Sequence, residues 1–440
     1  MHVATLPADH PQRRALADEV HSRPPAAVQA PATVACLALV DAPAADALAA
    51  LATLAARAGV AFAAAPDAPH VLLDLPALRV KWERHGEFVS FVFVRPLAAA
   101  DLRPAPATVP SAFDALPADW LAALPGRTIA AADVLLLPAA AAEASAMALS
   151  GFDSDRLAGA HVLEGAARVL TDFIVRADGR TRWLVLDDSG MGSAQSARVV
   201  QRVIEIEIYR MTALLAFPLA RAAFPALNRI ERQLEAIGAA TAAQQGIATS
   251  PASQQEERRL LDQLSRVAAE VESSIASSAF RFSAAQAYWD IVCARVAEFR
   301  EQHIGELRTL NGFLMRRMAP AMNSCAAARR RQDELSARIA RASDLLRTRV
   351  DVAREEQNQR LLAAMERRGK LQLRLQRTVE TLSVAAVTYY GAGLVGYLAK
   401  PLVAVWPRLA PEVVTAVAVP LIAILVWRVL HRIHTRFDGD

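Results

Sequence analysis

The sequence predicts an α+β protein: an N-terminal α/β domain on the cytoplasmic side, a long helical, coiled-coil-like stalk and a C-terminal two-helix transmembrane hairpin. Three observations carry this expectation. Strand-like alternation is confined to the part before about residue 190, and from Ser193 onward apolar residues recur at helical spacing almost without interruption. Two charge-free apolar stretches, Thr381 to Ala399 and Val413 to Trp427, then stand near the C-terminus with thirteen residues between them. The expected organisation is an α/β domain over 1–190, a helical stalk region over 191–378 with a linker near 238–253, a hairpin over 379–430 and a cytoplasmic tail over 431–440.

In chain order, Val34 to Val40 reads as a short apolar strand, and Ala45 to Ala58 as a helix stopped by Gly59. Leu78, Val80 and Trp82 alternate with Arg79, Lys81 and Glu83, and His85-Gly86 turns the chain into a strand from Glu87 to Val94. Pro104 to Pro110 is expected to be loop. Val169, Thr171, Phe173 and Val175 lead through Asp178-Gly179, a hairpin signal, into Arg182 to Leu186. Ser193 can cap a helix whose stripe is Val200, Ile204, Ile208, Met211 and Leu215, with an end expected near Pro218. A second helix runs from Leu219 past Pro225 to Ile237, and Gly238 to Ser253 has linker composition. Leu260, Leu264, Val267, Val271 and Ile275 mark a third, expected to continue to Leu307, with a turn at Gly312 and Pro320. The last helix starts near Cys325 and runs unbroken into the first apolar stretch, with rows at eleven-residue spacing: Ile339, Val350, Leu361, and Ala342, Ala353, Ala364, Leu375.

A helix rises about 1.5 Å per residue, so Thr381 to Ala399 covers most of a hydrocarbon core of roughly 30 Å, and the second stretch does so with help from the tail Arg428 to Leu430. Arg367, Arg368, Lys370, Arg374 and Arg377 precede the first stretch, and Arg428, His431, Arg432, His434 and Arg436 follow the second. The connecting segment holds only Lys400, Arg408 and Glu412. That asymmetry predicts an inner-membrane protein with both termini in the cytoplasm, and Trp406 and Trp427 fit interfacial belts. Met1 to His10 lacks the basic and apolar regions of a signal peptide, so insertion is expected to be directed by the hairpin.

Alanine-rich stretches such as Ala42 to Ala64 and Ala139 to Ala148 read as loops that inflate the 54% hydrophobic fraction beyond the true core. A net charge of +4 is too small to predict nucleic-acid binding. Cys36, Cys293 and Cys325 match no metal spacing and are expected as free thiols. No cofactor and no metal is expected.

His10, Asp18, Glu19 and His21 lie close in sequence without a metal-ligand spacing; His21 and Arg23 are kept as binding candidates. Glu83 and His85 flank the first hairpin turn, with no nucleophile nearby in sequence, and a solvated turn is the plainer expectation. Glu205 and Glu207 sit in an apolar helical run with Arg202 and Arg210 each three residues from one of them, so local ion pairs are expected, an acidic metal-sensing patch being the alternative. Asp187 to Ser193 joins a strand to a helix, where phosphate can bind, but the run lacks the Gly-Lys-Ser/Thr of a P-loop and reads as a capped turn. In the first apolar stretch Gly391, Ala392, Gly393 and Gly396 offer a small-residue face for helix packing, and Thr381 and Thr388 share a face that could line a narrow pore in an oligomer.

Several of these segments resemble a bacterial family of membrane-anchored proteins known as domain of unknown function 3422. The likeness lies in Asp9-His10-Pro11 through Glu19-Val20-His21-Ser22-Arg23-Pro24, Trp82-Glu83-Arg84-His85, Gln201 to Met211, Phe280-Arg281-Phe282-Ser283-Ala284, Arg341 to Leu346 and Leu371 to Tyr390. It spans nearly the whole chain and implies no activity. The layout of a cytoplasmic α/β domain, stalk, two membrane helices and basic tail is also similar to that of CorA-type magnesium transporters; their Gly-Met-Asn signature is missing, and Tyr390-Gly391 is followed by Ala392-Gly393. The leading expectation is a membrane-anchored, non-enzymatic cytoplasmic scaffold or binding module forming a homo-oligomer in the lipid bilayer. The alternative is a CorA-like divalent-cation transporter or channel.

Overall fold

The computed structural model describes residues 7–14, 16–17, 25–98, 101–102, 111–244, 250–403 and 411–437. Its centre is a nine-stranded sheet of order β2-β3-β4-β1-β5-β8-β7-β6-β9. Three antiparallel strands, β2 (His70–Asp74), β3 (Arg79–Arg84) and β4 (Phe88–Pro96), form one wing. β1 (Ala32–Val40) and β5 (Arg127–Pro138) form the middle, and β6 (Ala158–Val162), β7 (Ala167–Thr171) and β8 (Thr181–Asp187) form the other wing, edged by β9 (Gln302–His303). β5 and β8 run parallel; the remaining strand pairs are antiparallel.

Alternation along β1 sends Val34, Cys36 and Ala38 to one face and Ala35, Leu37 and Leu39 to the other. The second face is covered by α1 (Ala44–Arg57) and α2 (Ala118–Ala122) near β1 and β4, and by α3 (Ala142–Ser150) over β5 and β8. The first face is covered by α4 (Ser193–Leu214), by the C-terminal part of α6 (Pro251–Glu298), by α7 (Leu310–Arg317) and by the start of α8 (Ala319–Val403). Small strand residues there, Ala32, Ala130, Ala132, Ala158, Ala160 and Ala167, leave room for Val199, Val203 and Ile206 of α4. Much of the alanine therefore belongs to core or helix: Ala42 to Ala64 holds α1, matching the helix expected over 45–58 rather than a loop, and most of α3 lies in Ala139 to Ala148, read as loop.

Other boundaries depart from the sequence reading for local reasons. The N-cap of α4 is Gly192, not Ser193, and makes no side-chain cap. The amides of Gly190 and Met191 donate instead to the Asp187 carboxylate, at 2.8 and 2.9 Å. The end expected near Pro218 falls shortly before it, α4 closing at Leu214 and α5 (Ala216–Ala243) taking Pro218 into its first turn, where proline forfeits no intrahelical bond; Pro225 lies inside the same helix. α6 ends at Glu298 rather than near Leu307: Arg300 takes a positive φ of 48° and Gln302-His303 pair with β6. The turn expected at Gly312 and Pro320 falls between them, at Met318, where α7 gives way to α8. Gly312 is in the first turn of α7, its amide donating to Thr309 Oγ1 at 3.0 Å, and Pro320 is in the first turn of α8. Pro104 to Pro110 lies outside the described residues, as does 245–249 of the expected linker, whose two ends, 238–243 and 251–253, are helical in α5 and α6.

The chain divides into two compact units, 1–240 with 262–342, and 241–261 with 343–440. The sheet-bearing unit thus continues past residue 190, because the stripe of α4 closes one face of the sheet. Within it α5, α6 and α8 pack side by side: Glu231 accepts from Arg331 and from Arg338, and Gln332 Nε2 donates to Ser274 Oγ at 2.8 Å and Ser278 Oγ at 3.0 Å. In the second unit, Arg349 donates to the Thr241 carbonyl at 3.1 Å, and Leu260 and Leu346 are buried. Farther along α8, Leu361, Met365, Leu371 and Leu375 are exposed.

The C-terminal part of α8 and α9 (Pro411–Phe437) run antiparallel. A Cβ on Gly391 would stand 3.2 Å from Ile422 Cγ2, and one on Gly396 would stand 3.7 Å from Thr415 Cγ2. One helical stretch among the described residues, ending at Leu398, is long and apolar enough to cross a membrane, and Thr415–Val429 is a shorter apolar helical stretch. Their apolar side chains point outward: Leu382 is 73% exposed, Leu394 67%, Leu421 62% and Leu425 64%.

Candidate functional site

A cavity of about 270 Å³ lies between the β1-β4-β3 part of the sheet and α4, with Arg295 of α6 at its side. The pleat determines its sheet wall. Lys81 and Glu83 of β3 stand on the same face as Ser90 and Val92 of β4, with Glu83 opposite Ser90 and Lys81 opposite Val92 in the register. Trp82, between them, points to the other core.

Lys81 is only 3% exposed, and its ammonium lies 3.0 Å from the Glu83 carboxylate. A buried ammonium is costly without such a partner. His85 Nε2 and Ser90 Oγ share a hydrogen bond of 3.2 Å. The His85 ring stacks on Phe88 at 4.2 Å and meets the edge of Tyr209 at 6.4 Å, which gives the cavity an aromatic end.

The helical wall carries a second charged set. Glu205 accepts from Gln201 Nε2 at 2.7 Å on one oxygen and from Arg295 Nε on the other. Arg295 also donates to Glu298 at 2.6 Å, and Arg202 donates to Glu298 at 2.7 Å. Burial works against the Arg295 charge, but the two carboxylates outweigh it and hold the guanidinium above its usual pKa. Charges on the lining therefore balance, Lys81 and Arg295 against Glu83 and Glu205, over an aliphatic floor that includes Val92, Val200 and Ile204.

Of the sequence candidates, Glu83, His85 and Glu205 converge on this cavity. The expected solvated turn is corrected: Glu83 is 12% exposed and pairs with a buried lysine. Glu207 and Arg210 form the expected local pair, yet outside the cavity and deep in the core. Arg210 Nη2 and Nε donate to Glu207 at 2.6 and 3.0 Å, and Trp183 Nε1 donates to the same carboxylate at 3.1 Å. Arg202 does not pair with Glu205 as its spacing suggests, because Arg295 takes that place.

His21 and Arg23 lie outside the described residues, as do Asp18, Glu19 and Trp406. The Asp187–Ser193 loop is a capped turn whose Gly190 and Met191 amides are engaged by Asp187. Thr381 and Thr388 donate their hydroxyls to the carbonyls of Arg377 and Val384 in their own helix, at 2.8 and 2.7 Å. Ala392 is buried and Gly391 and Gly396 approach α9, whereas a Cβ on Gly393 would meet nothing within 4 Å. Cys36, Cys293 and Cys325 are free thiols, and burial pushes the Cys36 thiol upward. Among the described residues no group of three or more His, Cys, Asp or Glu is placed to hold a metal ion.

Lys81, Ser90, Gln201, Tyr209 and Arg295 are the cavity residues that sequence reasoning passes over. Lys81 carried a signal: it shares a strand face with Glu83, beneath an apolar helix.

The family model described as "Protein of unknown function (DUF3422)" matches residues 8–437. No curated protein matches the chain. A solved structure, described as "structure of the full-length CmaX protein", aligns with 71% of this chain and 91% of that chain at 15% identity, with a TM-score of 0.15, too low to support any argument.

Proposed function

Because the chain belongs to the family of proteins of unknown function DUF3422, whose description assigns no activity, we propose a role from its own geometry: a membrane-anchored, non-enzymatic binding module. In this reading the sheet-bearing unit lies in the cytoplasm and binds a ligand in the Lys81–Glu205 cavity. α8 and α9 cross the inner membrane as a hairpin, and copies associate as a homo-oligomer.

The observation that carries the anchor is the outward apolar surface of both C-terminal helices, illustrated by Leu382, Leu394, Leu421 and Leu425. Apolar surface left in water forgoes about 25 cal/mol per Å², so such a surface calls for lipid or protein around it. The arginines before Thr381 and after Trp427 support a cytoplasmic placement of both ends. Exposed Leu361, Met365 and Leu375 on α8 support association between copies. A reporter fused after Asp440 tests the orientation: activity in the cytoplasm is expected, and activity confined to the periplasm contradicts it.

A divalent-cation pore lined by Thr381 and Thr388 is the second reading. Those hydroxyls already bond to their own helix, which lends it no support. A monomeric mass in detergent would dismiss both the pore and the homo-oligomer.

A further inference from the structure

The cavity offers more than a generic polar hole. Its two carboxylates and two cations cancel, so a bare anion would face Glu83 and Glu205 and a bare cation would face Lys81 and Arg295. Its polarity is also ordered along its length. β4 runs from Phe88 at the aromatic end to Val92, opposite Lys81, while α4 runs from Gln201 past Glu205 to Tyr209 at the aromatic end. Aromatic rings attract an ammonium group, all the more with a carboxylate near, and His85, Phe88 and Tyr209 all line the cavity, His85 stacked on Phe88 and Tyr209 on Tyr288. At the other end the Lys81 ammonium has three donors, of which Glu83 takes one.

At about 270 Å³ the space matches roughly nine waters, below the usual range for drug-sized ligands. The aliphatic floor suits a short apolar chain.

We propose that this cavity binds a small aliphatic zwitterion of amino-acid size, its ammonium against the His85, Phe88 and Tyr209 rings and its carboxylate toward Lys81. The inference rests on the reading of this chain as a binding module and adds the ligand class. Neither charge alone satisfies both ends, and both together on one short chain do.

Titration calorimetry on the full-length protein in detergent tests it with four probes at millimolar concentration: 5-aminopentanoate, pentanoate, pentylamine and magnesium chloride. The zwitterion is expected to bind at least about tenfold more tightly than pentanoate or pentylamine, since a hydrogen bond to a charged group supplies that factor. Lys81→Met is expected to lower that affinity about tenfold or more. Tyr209→Leu, which leaves the charges intact and serves if Lys81→Met fails to fold, is expected to lower it roughly 2- to 30-fold. Equal binding of pentanoate or pentylamine, heat from magnesium alone, or unchanged affinity in the folded variants would overturn the zwitterion while leaving a binding module. Silence from all four probes would overturn the zwitterion too, and membrane extraction separately decides the anchor.

Discussion

The Glu207–Arg210 pair provides the sharpest test of the sheet-bearing core. Glu207 is 1% exposed and accepts two bonds from Arg210, at 2.6 and 3.0 Å, plus one from Trp183 at 3.1 Å. The guanidinium also lies 5.2 Å from the centre of the Phe173 ring. Arg210→Met keeps the apolar stem, removes both charged bonds and leaves a carboxylate in the core with one indole donor. Two bonds to a charged group represent about 3 to 6 kcal/mol, and breaking a buried pair from one side costs about 3 to 5 kcal/mol. We expect a loss of about 3 to 5 kcal/mol, read from urea unfolding in detergent followed by tryptophan fluorescence. The double variant Glu207→Leu with Arg210→Met removes the stranded charge and should recover most of the loss. A loss below about 1 kcal/mol for Arg210→Met would mean that this pair reaches water and that α4 does not seal the sheet.

The helix contacts give further expectations. Cysteines replacing Gly396 and Thr415 should form a disulfide on mild oxidation, since a Cβ at 396 lies 3.7 Å from Thr415 Cγ2, whereas cysteines at 393 and 415 should not. Equal cross-linking of both pairs on gels would contradict the packing. Glu231 is held below its ordinary pKa of 4.5 by the hydrogen bond from Arg331, with Arg338 adding to it. A depressed carboxyl stabilises the fold above its unfolded pKa, and that contribution fades as pH falls through the folded value. Glu231→Gln should therefore lower the unfolding midpoint at neutral pH, and the gap from the parent should close in acid. A gap that is constant with pH would deny the ion pairs.

Much of this architecture is legible in the sequence where alternation or turn chemistry is strong. The β3-β4 hairpin around His85-Gly86 follows from its pattern, as does α1 ending before Gly59, which takes a φ of 67°. β7 and β8 pair on either side of Asp178-Gly179, but β7 stops at Thr171, short of the expected Phe173 and Val175, and Phe173 takes a φ of 57°. Two other strands are harder to read. β5 contains Ala130-Ala131-Ala132 and β6 reads Ala158-Gly159-Ala160, so their buried residues lack the bulk that marks a strand. Only the approach of α4 explains why alanine suits those positions. The cavity was legible residue by residue, in Glu83, His85 and Glu205, but not as one place, because sheet pairing and helix packing unite β3 with α4 and α6 across more than a hundred residues of chain. Arg295 replaced Arg202 as the partner of Glu205 for the same reason: helical spacing identifies neighbours on one helix and is blind to the helix beside it.

Alkaline carbonate extraction of bacterial envelopes tests the anchor most directly, because carbonate strips proteins held by surface contacts and leaves those embedded in lipid. With both C-terminal helices surrounded by lipid, the intact chain stays in the membrane pellet, and a chain truncated before Thr381 moves to the supernatant. Release of the full-length chain would mean that protein, rather than bilayer, covers Leu382, Leu394, Leu421 and Leu425, and the proposed anchor would be abandoned.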